Sequence, residues 1–181
     1  LSAFYLDILK DRLYTSPPDS VERRSSQTVM HVVLDAMVRL MAPVLAFTAE
    51  EIWKYMPDTK GREPSVHMES LPQVEDAYID EELARKWDKI LELRGEATKA
   101  LEKARAEKLI GHTLNASVAI SAPEALYEIL LPYADQLNRI LIVSETKLLK
   151  DEKPEAAYES DEIEGLFIKV TPAPGEKCER C

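Results

Sequence analysis

Cys178 and Cys181 have the clearest chemical spacing in the chain. A C-x-x-C pair puts two thiolates within reach of one tetrahedral zinc ion. A structural zinc site takes four protein ligands, and only half is present. His31, His67 and His112 lie far off in sequence and show no ligand spacing. On spacing alone, a redox or chance pair stays open beside the zinc half-site. The second group is cationic: Lys10 with Arg12, and the adjacent pair Arg23 and Arg24. A guanidinium binds phosphate bidentately or stacks on a base. The competing reading is a solvated surface laced with salt bridges. Nothing in the chain assembles a catalytic site. Glu50 and Glu51 have no nucleophile or metal set beside them, and a helix surface explains them. Five singly scattered glycines cannot build a phosphate-cradling loop.

The elements that must position these residues follow from periodicity and punctuation. Phe4, Ile8, Leu9 and Leu13 predict an amphipathic helix from Ser2 to about Tyr14. Ser16-Pro17-Pro18 stops it, since proline cannot continue a helix. Asp19 reads as the cap of a second helix, with Glu22 three residues on as a capping-box partner. Val29, Val32, Val33, Ala36, Met37 and Leu40 form its predicted core stripe, and Arg39 is a semi-buried ion-pair partner for Asp35. Pro43 suits a first helical turn, so a third helix is expected from there to Met56. Trp53 and Trp87 fall on apolar faces and read as core. Gly61, Pro64 and Pro72 make residues 58–78 a loop. Asp80 to Ile110 is a long helix, carried by Leu83, Trp87, Ile90, Leu91, Ala97, Leu101 and Ala104. Gly111 is its expected terminator.

Beyond that the character changes. Residues 116–120 read as a strand, 124–138 as a helix, 140–143 as a second strand and 166–170 as a third. Residues 150–165 read as an exposed acidic loop. The predicted fold is mainly α: an antiparallel helical bundle over residues 1–112, a small α/β subdomain over 113–173, and the start of a truncated zinc-binding module over 174–181.

Composition bounds the class. The chain has 181 residues, 45% of them hydrophobic, with two cysteines, both at its end. This excludes a disulfide framework for the body and makes a reducing, cytoplasmic setting the default. No apolar run approaches the roughly 18 residues of a membrane span. The start lacks a signal peptide and an initiator Met, and reads as excised from a longer chain. Net charge is −10, which opposes nucleic-acid binding if taken as a whole. Residues 1–62, however, carry eight basic and eight acidic residues, so the acid surplus lies beyond the first helices.

Several segments, in order, resemble one family. Residues 2–14, Ser-Ala-Phe-Tyr-Leu-Asp-Ile-Leu-Lys-Asp-Arg-Leu-Tyr, resemble the helix that opens the anticodon-binding domain of isoleucyl-tRNA synthetases. Residues 23–28 are similar to the start of its next helix. Residues 40–53 resemble that family's LAP…FTAEEIW segment, and 65–68 the SVH that follows. Residues 108–111 and 177–181 resemble its KxIG region and the KCxRC that opens a C-terminal zinc motif. The PxxxFTxEExW part recurs in valyl- and leucyl-tRNA synthetases; the first helix and the terminal cysteines favour isoleucine. The HIGH and KMSKS motifs and the second cysteine pair are absent from this stretch. The resemblance implies a module that is not itself an enzyme. It would hold the anticodon stem-loop of isoleucine tRNA, through Lys10, Arg12, Arg23 and Arg24, while the rest of the synthetase chain aminoacylates the far end. It implies tRNA and the remainder of the synthetase as partners, with neither DNA nor membrane. No cofactor is implied for this stretch. The full-length protein would hold zinc, through Cys178 and Cys181, and would use ATP with Mg as substrate. A protein-docking bundle without an RNA role is the reading from a different class.

Overall fold

The computed structural model describes residues 4–57, 59 and 61–175. The predicted zinc half-site, Cys178 and Cys181, lies outside them. The chain is mainly α with a small α/β part, as its periodicity predicts. It divides into two compact units, Leu1–Ile79 and Asp80–Cys181. The division falls after Ile79, where the sequence suggested a boundary after 112. The long helix therefore groups with the sheet.

The first unit holds α1 (Tyr5–Thr15), α2 (Val21–Met41) and α3 (Ala46–Tyr55). The α2 cap is Ser20 rather than Asp19: its hydroxyl accepts from the Arg23 N–H at 3.3 Å. The third helix begins at Ala46, three residues later than Pro43 suggested. The Val44 and Leu45 N–H groups turn back onto the Met41 carbonyl at 2.9 and 2.8 Å. The core is Val38, Ala42, Ala49, Trp53, Met56 and Val66. The predicted α2 stripe is only partly used. Val29, Val32, Met37 and Leu40 stay 40–59% exposed. Helices of 11 and 10 residues cannot wrap a helix of 21, so one sector of α2 lacks cover within its own unit.

In the second unit α4 spans Glu81–Ala106. Asp80 caps it, accepting from the Leu83 N–H at 2.9 Å. Acids in its first turn and bases in its last match the helix dipole. Its buried face is Ile90, Leu93, Glu96, Ala97, Ala100, Leu101 and Ala104. Leu83 and Leu91, expected inside, are 42% exposed. The like-charged pairs Glu92–Glu96 and Lys99–Lys103 are relieved at i, i+3: Lys89 reaches Glu92 at 2.8 Å and Lys99 reaches Glu96 at 2.6 Å.

The residue that terminates the helix is Lys108, just past its Glu107 cap, rather than Gly111. Leu109 N–H returns to the Ala104 carbonyl at 2.9 Å and Lys108 N–H to that of Arg105 at 3.0 Å, a Schellman closure. Lys108 therefore stands at φ +60°, where a Cβ is strained. Its side chain is exposed. Lys108→Gly is expected to stabilise the chain by about 1 kcal/mol, read as a higher urea midpoint at unchanged slope. An unmoved or lowered midpoint would count against the strain.

The sheet order is β2-β1-β4-β3, with β1 (Ala116–Ala122), β2 (Glu145–Lys150), β3 (Tyr158–Glu159) and β4 (Phe167–Pro172). β1 pairs with β2 in parallel and with β4 antiparallel. The β1–β2 crossover is not one helix over 124–138 but α5 (Glu124–Leu130), a 3-10 segment and α6 (Leu137–Leu141). The expected strand over 140–143 is the end of α6 and its turn. Ile142 sits at φ +56°, and the Val143 N–H returns to the Asn138 carbonyl at 2.9 Å. A short apolar run suits a buried helix end as well as a strand, and here the turn decides. The acidic loop 150–165 contains β3.

Candidate nucleic-acid interface

Lys10 lies at the middle of α1 and Arg12 in its last turn, and Arg23 and Arg24 lie in the first turn of α2. The two helices pack on each other and are joined by the turn 16–20. All four residues therefore flank one end of this helix pair, but in different states. Lys10 is exposed and paired to Asp7 at 2.6 Å. That carboxylate, by hydrogen bond and charge, holds the Lys10 ammonium above its ordinary pKa. Arg12 is half-buried and already engaged within the fold. Arg23 is also half-buried: its Nη1 donates to the Ser16 carbonyl at 3.1 Å, and its buried Nε meets no acceptor among the described residues. It ties the start of α2 to the end of α1. Arg24 points to solvent and makes no ion pair among the described residues. Of these four, Lys10 and Arg24 are the two that an anion could reach without unpicking the fold.

Several groups read as bland in the sequence have defined tasks. Glu50 is not an idle surface carboxylate. It accepts from the Ser65 hydroxyl at 2.7 Å and the Val66 N–H at 3.2 Å, and pins the loop after α3. The Ser65 hydrogen bond leads in holding its pKa below the ordinary value, against a smaller upward push from burial. Arg39 pairs with Asp35 as expected, and also donates to the Ser70 carbonyl at 3.2 Å. Trp53 is core, 2% exposed, and its Nε1–H donates to the Glu63 carbonyl at 3.0 Å. The Arg62 guanidinium stacks on the Trp53 ring, 3.9 Å from its centroid. The same group donates to the carbonyls of Trp53, Met56 and Pro57, closing the C-terminus of α3. Trp87 is half-buried, its ring centroid 6.2 Å from that of Tyr133. No cluster of three or more His, Cys, Asp or Glu able to hold a metal occurs among the described residues. No helix among them is long and apolar enough to cross a membrane.

Sequence reasoning missed the groove beside Trp53, about 380 Å³ in volume, lined among others by His31, Asp35, Arg39, Arg62 and Glu69. Arg62 lies in a proline- and glycine-marked loop, where periodicity carries no signal. Only the i, i+4 spacing of His31, Asp35 and Arg39 on α2 could have marked one wall.

A family model described as the anticodon-binding domain of tRNA ligase matches residues 1–120. The chain belongs to this family. Its anticodon-binding-domain match contains the whole first unit and runs through α4 into β1. Beyond the match, likeness to curated relatives continues to the end of the chain. The isoleucine--tRNA ligase of Desulforamulus reducens is 51% identical over 182 residues, covering all of this chain and 19% of that protein. Those of Geobacter sulfurreducens and Moorella thermoacetica are 50% and 47% identical, with the whole chain again matched to 19% and 20% of each. This anticodon-binding domain and its continuation thus span about a fifth of the length of the curated relatives they match.

Proposed function

We propose that the chain is the tRNA-binding module of an isoleucine--tRNA ligase and holds the anticodon stem-loop of isoleucine tRNA while the catalytic part of the protein aminoacylates the acceptor end. One observation carries this: an anticodon-binding-domain match over residues 1–120, on a chain about half identical throughout to isoleucine--tRNA ligases. Those names favour isoleucine over valine or leucine. The same reading includes ATP with Mg as substrate of the complete ligase, zinc held in part by Cys178 and Cys181, the rest of the synthetase as partner, and the cytoplasm as location. It also includes a functional division into bundle, α/β part and zinc module at residues 112 and 173, which differs from the packing division after Ile79.

In this reading Lys10 and Arg24 meet phosphates, and Arg12 and Arg23 shape the helix pair that presents them. Anisotropy of labelled isoleucine tRNA and of a non-cognate tRNA across a salt series tests it. Cognate-selective, salt-sensitive binding is the expected result. Equal, salt-independent or absent binding by both would remove the module role. Arg24→Glu should weaken binding uniformly across tRNAs and reduce the slope of log K against log salt by about 1. Arg23→Ala should instead loosen the 16–20 turn, costing about 1 kcal/mol of stability. An unchanged salt slope in Arg24→Glu would take Arg24 out of the interface.

The exposed α2 stripe, Val29 to Leu40, favours one second reading: a bundle whose main task is docking on another protein surface. Salt-dependent tRNA binding by the chain counts against it.

A further inference from the structure

We propose that the groove beside Trp53 seats a single unstacked nucleobase; this rests on reading the chain as an RNA-binding module. At about 380 Å³ it lies near the small end of ligand sites, sized for one heterocycle rather than a strand. Its charges cancel, with Arg39 and Arg62 against Asp35 and Glu69. A groove without net positive charge does not select a phosphate. It offers planar donors and acceptors beside the Arg62 guanidinium, which covers the buried Trp53 ring.

That inventory matches a neutral, flat, hydrogen-bonding ring. Splayed RNA bases stack on guanidinium planes as well as on aromatic rings, and the half-buried Arg62 plane is backed by the Trp53 ring, whose centroid is 3.9 Å away. A carboxylate accepts from an exocyclic amine, and a guanidinium donates to ring acceptors. The groove presents both. His31 stands one helical turn from Asp35 and adds a second planar group.

The walls are also fixed in advance. Arg62 is bound by three backbone carbonyls. Arg39 is held by Asp35, by the Ser70 carbonyl at 3.2 Å and, more loosely, by Glu69 at 3.9 Å. A base entering the groove therefore orders little that is not already ordered.

The test is heteronuclear NMR on the whole 181-residue chain. The Trp53 Nε1–H and His31 ring resonances are followed while adenosine, guanosine, cytidine or uridine is added, with ribose 5-phosphate as the control. At least one nucleoside should shift both resonances saturably, ribose 5-phosphate should not, and Asp35→Asn should weaken that nucleoside about tenfold. Glu69→Gln replaces it if Asp35→Asn does not give a folded spectrum. Failure of every nucleoside, or an equal shift by ribose 5-phosphate, overturns the assignment.

A second arm uses the anticodon stem-loop of isoleucine tRNA with one loop base at a time made abasic, which leaves every phosphate in place. One abasic position should cost about tenfold with the natural chain and nothing with Asp35→Asn. Equal losses with both proteins overturn the proposal. Stem-loop binding with an unresponsive groove removes the groove alone. Nucleoside binding without stem-loop binding removes the module reading and leaves the groove a nucleobase site.

Discussion

Glu96→Ala lowers the stability of the α/β unit by about 3 kcal/mol. Glu96 is a carboxylate in the buried face of α4, 1% exposed. It is tolerable there because its oxygens are occupied. Lys99 donates to one at 2.6 Å and the Tyr158 hydroxyl to the other at 3.1 Å. Burial alone would raise its pKa. Hydrogen bonds from Lys99, Ser160 and Tyr158 together outweigh burial, and the folded value lies below the ordinary one. Alanine removes the acceptor, strands the Tyr158 hydroxyl and leaves a cavity in the buried face of α4. Lys99 suffers less, being half-exposed with a second partner in Glu162 at 2.5 Å.

The sign of the pH effect follows. A carboxyl whose folded pKa is depressed contributes fully above its unfolded value, near 4.5, and loses that contribution as pH falls through the folded value. Glu96→Gln keeps the shape, costs about 2 kcal/mol at neutral pH and flattens this acid limb. Hydrogen exchange of the β1 and β4 amides measures both. Unchanged protection in Glu96→Ala, or an acid limb that survives Glu96→Gln, would show that the carboxylate is not tying α4 to Tyr158 of β3.

The second large effect is in the helical unit. Trp53→Ala costs about 3–5 kcal/mol, because it empties the centre of a small core formed with Val38, Ala42, Ala49, Met56 and Val66. Arg62 loses its aromatic wall, and the loop through Glu63 loses its hydrogen bond. Trp53→Phe separates these effects: most of the burial stays, the indole donor goes, and about 1 kcal/mol is lost. Arg62→Lys keeps the charge but not the fork that spans the three α3-end carbonyls, and should speed exchange at the end of α3 and over residues 61–66 with little change in α1. Urea unfolding followed by helical circular dichroism ranks the variants. Equal losses in Trp53→Phe and Trp53→Ala would put the energy in the hydrogen bond rather than in packing.

Local signals read well and distant ones did not. The stop of α1 at Ser16-Pro17-Pro18 and the start of α4 at Asp80 were legible, since such signals act within a turn, whereas the α2 cap lay one residue beyond Asp19 and α3 began three residues beyond Pro43. The Arg39–Asp35 pair was legible for the same reason. Glu96 was invisible as a buried group because its hydroxyl partner lies 62 residues away. The Ile140–Val143 run could not be resolved, since four apolar residues fix no period. β2 alternates poorly and sits at a sheet edge. Lys108 was passed over because Gly111, three residues on, is the residue type that usually adopts positive φ. Among the candidate RNA contacts, residue type and position were readable. Arg23's inward role was not, because its partner is a backbone carbonyl, which sequence does not mark.

The central strand β1 has consequences for how the chain is made. Its neighbours are β2, at residues 145–150, and β4, at 167–172. A ribosome releases the parallel β1–β2 pair with α5 and α6 first, and the antiparallel partner only after the 16 residues between β2 and β4 (151–166). At synthesis rates of about 5–20 residues per second, β1 spends about one to three seconds with one flank of backbone donors and acceptors open. An open flank is a template for any other strand. In a crowded polysome the half-built sheet, rather than the finished unit, is the species most exposed to pairing with a neighbouring nascent chain.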